Sequence, residues 1–195
     1  MKTLLFLAKG FETCEFSVFV DVLGWARDKF GLGTEVVTCA FGEEAVSTFG
    51  IPVKVDMLLE DVDPDDYDAL AIPGGFASYG FYDEAYDGRL QKLIRAFDER
   101  HKIIASICVA ALALGKSGVL TGRKGTTYHL DNGDKQRELA AFGVVVENER
   151  VVVDENIVTS YCPETAFDVA FQLLEMLTSR PQANAVRQAM GFSER

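Results

Sequence analysis

The sequence predicts an α/β fold, a three-layer sandwich in which a mostly parallel sheet carries helices on both faces. Three observations point there. Residues 2–8 and 68–72 are short apolar runs with little alternation, the pattern of strands buried on both sides. Between such runs lie stretches with helical periodicity or Ala/Leu-rich composition, so strands alternate with helices. Glycine and proline punctuate the junctions, as at Gly10 and Pro73-Gly74-Gly75. With 195 residues and 48% hydrophobic content the chain can bury one sizeable core, which makes 1–195 a single domain.

Taken in order, residues 2–8 form a central strand, broken at Gly10 before a helix over 12–30. In that helix Phe16, Phe19, Val20, Leu23 and Phe30 recur at helical spacing and predict the core-facing stripe, with Val18, Val22 and Trp25 outside it. Residues 34–40 read as the second strand, and 47–56, around Gly50-Ile51-Pro52, as a short excursion of β character. An acidic loop with Pro64 leads to the third strand, 68–72. After an aromatic and glycine-rich stretch, 76–82, an amphipathic helix is expected over 83–100 through Leu90, Leu93, Ile94 and Phe97. A β-branched strand at 102–107 then passes through Cys108 into a helix at 109–115, closed by Gly115 and Gly118. Residues 126–130 are a short strand or loop carrying His129, and 134–142 a helix. The runs 144–146, 151–153 and 157–160, separated by polar turns, predict a final meander of strands. Pro163 opens the last main helix through Phe167, Ala170, Phe171 and Leu174, and 180–195 is a helix-capable tail free to dock or fray.

Composition excludes several classes of function. A net charge of -11 and a pI near 4.6, with no compensating Lys/Arg cluster, oppose nucleic-acid partners and adhesion to anionic membranes. The first strand-like run is too short to span a bilayer and lacks the parts of a signal peptide, so a cytoplasmic protein is expected. Cys14, Cys39, Cys108 and Cys162 form no close pair, which fits reduced thiols, and with His101 and His129 as the only histidines no metal is expected.

The position with most chemical promise is Cys108, where a strand becomes a helix. Ligands of open α/β sheets gather beyond the carboxyl ends of the strands, and amides at a helix start favour anions, so a thiol there is reachable and biased towards thiolate. The competing explanation is a buried cysteine that fills space. Glu15, in the first turn of the first helix, either points into the same crevice or is a surface carboxylate favouring the helix dipole. Pro73-Gly74-Gly75 lies at another strand's carboxyl end and offers backbone amides with little side chain in the way.

Ala8-Lys9-Gly10 with Glu15, Pro73-Gly74-Gly75, Ala105-Ser106-Ile107-Cys108, Thr126-Thr127, and Thr159-Ser160 followed by Pro163 and Thr165 occur in one order and spacing. From Lys2 to about Leu177 the chain resembles the ThiJ/PfpI superfamily, in particular the branch of the parkinsonism-associated protein deglycase. The resemblance implies a flavodoxin-like sheet, Cys108 as reactive thiol on a nucleophile elbow, Glu15 as a carboxyl hydrogen-bonded to it, and the amides around Gly74, Gly75 and Val109 as oxyanion donors. It also implies a homodimer, and the apolar residues on more than one side of the first helix agree.

Departures from the superfamily pattern narrow the activity. Protease-like members carry a histidine directly after the cysteine, where this chain has Val109. Related amidotransferases read His-Pro-Glu where this chain has Cys162-Pro163-Glu164. Peptide and amide hydrolysis, which must protonate a poor leaving group, is therefore disfavoured, and attack on a reactive carbonyl is favoured. In the deglycase-like branch a histidine follows the Thr-Thr pair. Here Tyr128 stands there and His129 one residue later, and on a strand one residue reverses the face, so the two compete for one role. Cys162 is either a second thiol able to resolve an oxidised Cys108 or a small residue fitting a tight site, with Pro163 beside it. The expected function is a cofactor-free, cysteine-dependent enzyme of the glyoxalase or deglycase type acting on small carbonyls such as 2-oxoaldehydes. The alternative is a redox-responsive stress protein or chaperone with an oxidisable cysteine.

Overall fold

The computed structural model describes residues 1–193. Its strands are β1 (Lys2–Phe6), β2 (Glu35–Ala40), β3 (Glu44–Val46), β4 (Pro52–Lys54), β5 (Met57–Leu58), β6 (Ala69–Ile72), β7 (Ile103–Ser106), β8 (Lys124–Gly125), β9 (Val145–Val146), β10 (Val151–Asp154) and β11 (Ile157–Ser160). The helices are α1 (Thr13–Phe30), α2 (Phe81–Ala85), α3 (Gly88–Glu99), α4 (Ala110–Ser117), α5 (Asp134–Ala141), α6 (Ala166–Leu177) and α7 (Arg180–Ala189).

Seven strands make the central sheet in the order β10-β11-β7-β6-β1-β2-β5, with every neighbouring pair parallel except β10 and β11. Strand order reverses between β1 and β6, which opens a crevice beyond the carboxyl ends of these central strands. Both faces of β1, β6 and β7 are covered: Leu4, Leu5, Leu70, Ala71, Ile104 and Ala105 are wholly buried. This is the predicted sandwich, flavodoxin-like in its order of strands. No described helix is long and apolar enough to cross a membrane.

Several elements depart from expectation. In α1 the buried positions are Glu15, Val18, Phe19, Val22, Leu23 and Ala26, whereas Val20 and Phe30 are exposed. The core stripe is therefore turned on the helix, and it includes a carboxyl group that a hydrophobicity count excludes. The helix expected over 83–100 is two helices. The first ends at Ala85, and Asp87 caps the second, accepting the Arg89 amide at 2.8 Å. The final meander is also divided: β9 pairs in parallel with β8 in a separate ladder, while only β10 and β11 form a hairpin on the main sheet. Alternation reports burial and leaves the partner strand open. The tail docks as α7 with Ala183 and Val186 buried, and Phe192 packs on Phe167 and Phe171 at 4.7 and 5.3 Å between ring centres; residues 194–195 lie outside the described residues.

Candidate active site

The chain leaves β7 through Ile107 and turns at Cys108, whose backbone is left-handed with φ 58°. For a residue with a β-carbon such a turn costs about 1–3 kcal/mol and persists only where its surroundings hold it. Here the Cys108 amide donates to the Ser160 carbonyl at 3.1 Å, and its own carbonyl accepts the Thr127 hydroxyl at 2.9 Å. The elbow is thus clamped from β11 and from the Thr126-Thr127 segment, and it lifts the side chain off the sheet towards the crevice.

Glu15 reaches the same point from the first turn of α1. It is fully buried, and its Oε2 accepts the Gly74 amide at 2.6 Å. Burial, outweighing that hydrogen bond, pushes the carboxyl up to about 8, so it is protonated at neutral pH, with the Cys108 thiol as its neighbour. Oε1 has no other hydrogen-bond partner in the described structure, and this is the oxygen left to carry the proton. Gly74 makes the approach feasible. A β-carbon there would lie 2.9 Å from both Glu15 Oε2 and the Ile107 carbonyl, and 3.0 Å from Cys108 Cβ.

The Gly74 amide, expected as an oxyanion donor, is therefore committed to Glu15. Gly75 and Val109 differ. Phe11 and Gly75 sit side by side, bracketed by bonds from the Glu12 amide to the Gly74 carbonyl (2.7 Å) and from the Phe76 amide to the Gly10 carbonyl (3.2 Å), an arrangement that leaves the Gly75 amide outside the ladder. Among the described residues neither the Gly75 nor the Val109 amide donates to a backbone carbonyl. The Val109 amide faces the Cys108 sulfur and pulls its thiol down. Burial first and Glu15 second push it up and prevail, so the expected bias towards thiolate is not realised and Cys108 rests as a thiol.

Cys108, Glu15, Gly75, Val109, Tyr128, Cys162 and Pro163 line one cavity of 590 Å³, within the usual range of small-molecule sites. His129 is not among them. Its ring turns away and stacks on Tyr161 with centres 4.0 Å apart, so Tyr128 takes the inward position. The one-residue shift has the effect that alternation predicts, although 126–130 forms no strand. Among the described residues no group of three or more His, Cys, Asp or Glu side chains could hold a metal ion.

Residues 1–176 match the DJ-1/PfpI family. The chain belongs to that family. Among its relatives, DJ-1alpha of Drosophila melanogaster is 33% identical over 191 residues, covering 96% of this chain and 82% of the relative. The crystal structure of Drosophila melanogaster DJ-1beta superposes with a TM-score of 0.85 at 27% identity, over 99% of this chain and 98% of that one. An oxidized form of Toxoplasma gondii DJ-1 gives 0.82 at 28% identity over 99% of each chain.

Sequence reasoning missed part of the cavity wall. Tyr82 on α2 and Lys135 on α5 also line it, as do Glu12 and Phe76. Tyr82 stood in a stretch marked only as aromatic and glycine-rich, and Lys135 in a helix whose residues were given no role. Only the folding of α5 over α2, which local patterning does not encode, brings the two together.

Proposed function

We propose that the chain is a cofactor-free enzyme of the glyoxalase or deglycase type, in which Cys108 adds to the aldehyde carbon of a 2-oxoaldehyde and Glu15 moves protons. One observation carries this reading: a buried carboxyl, protonated at neutral pH, is set against a thiol in a cavity whose wall has no histidine. In the addition the S–C1 bond forms as the C1=O π bond breaks, and the thiol proton reaches O1 by way of Glu15. Isomerisation then moves the C1 hydrogen to C2 as a proton and the O1 proton to O2, so that C1 is oxidised by as much as C2 is reduced. Water cleaves the resulting thioester to a 2-hydroxy acid and restores the thiol. In this reading the Gly75 and Val109 amides stabilise charge on O1, each such donor being worth about 10²- to 10³-fold, while a positioned acid/base contributes about 10²- to 10⁴-fold. Since Cys108 rests as a thiol, the proton carrier governs its reactivity.

Amide hydrolysis fits less well, because Val109 and Cys162 stand where hydrolytic members of the superfamily carry a histidine. A second reading, a redox-responsive protein, is favoured by Cys162 in the same cavity and by the oxidized state named for the Toxoplasma relative. All four cysteines are free thiols, which suits the reducing setting of a cytoplasmic protein. The proposal includes a homodimer, supported by Val20 and Trp25, each 39% exposed on the outer side of α1.

Turnover of methylglyoxal to lactate tests the enzyme reading. It is expected in the pure protein and absent from Cys108→Ser. A pure wild-type protein that forms no lactate would contradict it.

A further inference from the structure

Cys108, Glu15 and the two amides account for one carbonyl of a 2-oxoaldehyde and leave another part of the wall unexplained. There the Lys135 ammonium lies 4.7 Å from the centre of the Tyr82 ring and beside its hydroxyl. Lys135 is held in turn by Glu138, whose Oε2 is 2.8 Å from Nζ and whose Oε1 accepts the Tyr86 hydroxyl at 2.7 Å. The Tyr82 ring packs edge-on against Phe81 at 5.4 Å and tilted against Tyr86 at 5.2 Å. A connected chain, Tyr86 to Glu138 to Lys135 to Tyr82, therefore ends at the cavity with a fixed hydroxyl. The other ionisable carboxyl groups in the wall, Glu12, Asp131, Asp134 and Glu164, are acidic, so Lys135 is the single cation among the described lining residues.

We propose that the Tyr82 hydroxyl, backed by Lys135, binds the second oxygen of a vicinal dicarbonyl while Cys108 takes the aldehyde carbon, which makes Tyr82 the residue that separates 2-oxoaldehydes from simple aldehydes. This rests on the carbonyl reading of Cys108. An ammonium beside the hydroxyl makes it a stronger donor, because a nearby positive charge favours the electron-rich oxygen. When the C1 proton leaves, negative charge develops on O2, and a preorganised donor with a cation behind it stabilises that charge with little rearrangement. A simple aldehyde has no oxygen for Tyr82 to hold.

The test uses Tyr82→Phe, which keeps the ring, and Lys135→Met. Turnover of methylglyoxal should fall about 10²-fold in kcat/KM for Tyr82→Phe, and less for Lys135→Met, while alkylation of Cys108 by iodoacetamide stays at the wild-type rate. A second readout does not depend on turnover, namely protection of Cys108 from alkylation by reversible hemithioacetal formation. Protection by methylglyoxal should weaken about tenfold in Tyr82→Phe, as for one lost hydrogen bond, and protection by acetaldehyde should not change. Equal effects on the two aldehydes, or an altered alkylation rate without any aldehyde, would overturn the assignment of Tyr82. If wild type forms no lactate, the carbonyl enzyme reading fails by itself, and the protection measurement still decides whether Tyr82 recognises the second oxygen.

Discussion

Cys39 and Cys108 stand near the carboxyl ends of strands in the same sheet, both buried, yet only one has a carboxyl group and a cavity beside it. Cys39 lies within β2, between Phe6 of β1 and Met57 of β5 in the ladder, and burial alone drives its thiol far above the ordinary range. Cys108 is also pushed up by burial, but it sits just past its strand, on a left-handed elbow, with a carboxyl group, a free amide and a cavity around it. Acidity does not separate the two thiols. The difference lies in the partners: in the proposed reaction the carboxyl group and amides beside Cys108 carry its proton and hold the oxyanion, and Cys39 has neither beside it.

The largest expected effect breaks this comparison directly. Cys108→Ser should abolish lactate formation, whereas Cys39→Ser should leave turnover intact and cost about 1–3 kcal/mol of stability by burying a hydroxyl without a partner. Equal losses of turnover in the two variants would mean that the elbow is not special. Next comes Glu15→Gln, which keeps an acceptor for the Gly74 amide but cannot carry the proton. Its kcat should fall about 10²- to 10⁴-fold, measured as lactate release, with the fold retained by circular dichroism.

The same substitution should sharpen the electrostatic side of the comparison. The Glu15 carboxyl binds its proton up to about 8 in the folded chain, against an ordinary value of 4.5. Between those values the folded state holds a proton that the unfolded chain has released, so the contribution of Glu15 to stability falls as pH rises and levels off above about 8. Urea denaturation should therefore show Glu15→Gln gaining on wild type with rising pH, by up to about 3 kcal/mol at pH 7 and by almost nothing below 4.5. A constant difference across that range would contradict the assignment. The smallest effect concerns association: sedimentation at micromolar concentration should give the mass of two chains, and the mass of one would exclude the α1 pairing.

The succession of strands and helices along the chain and the site of the elbow were legible because they depend on local patterns: apolar runs, glycine at the junctions, and a β-branched run passing into an Ala/Leu-rich one at Cys108. Glu15 was legible as a candidate, but its burial was not, since periodicity assigned Val20 and Phe30 to the core of α1 beside Phe16, Phe19 and Leu23 and left out Val18, Val22 and Ala26. His129 and Tyr128 could be ranked only after the turn of 126–130 was seen, because the segment makes no regular strand to set its faces. Gly74 and Gly75 looked equivalent in sequence. Their amides are divided by the carboxyl of a residue nearly sixty positions earlier, and the bond to it spans two elements. Tyr82 and Lys135 stayed hidden for the same reason: their meeting is tertiary.

The protonation state of Glu15 bears most directly on the whole account. Infrared difference spectra between wild type and Glu15→Gln, taken across a pH titration, isolate the carboxyl band of this one residue. The account predicts a protonated carboxyl C=O band that persists through neutral pH and disappears near 8. A band absent from pH 5 upward, with the carboxylate present in its place, would show Glu15 ionised beside Cys108 and would contradict its role as the proton carrier.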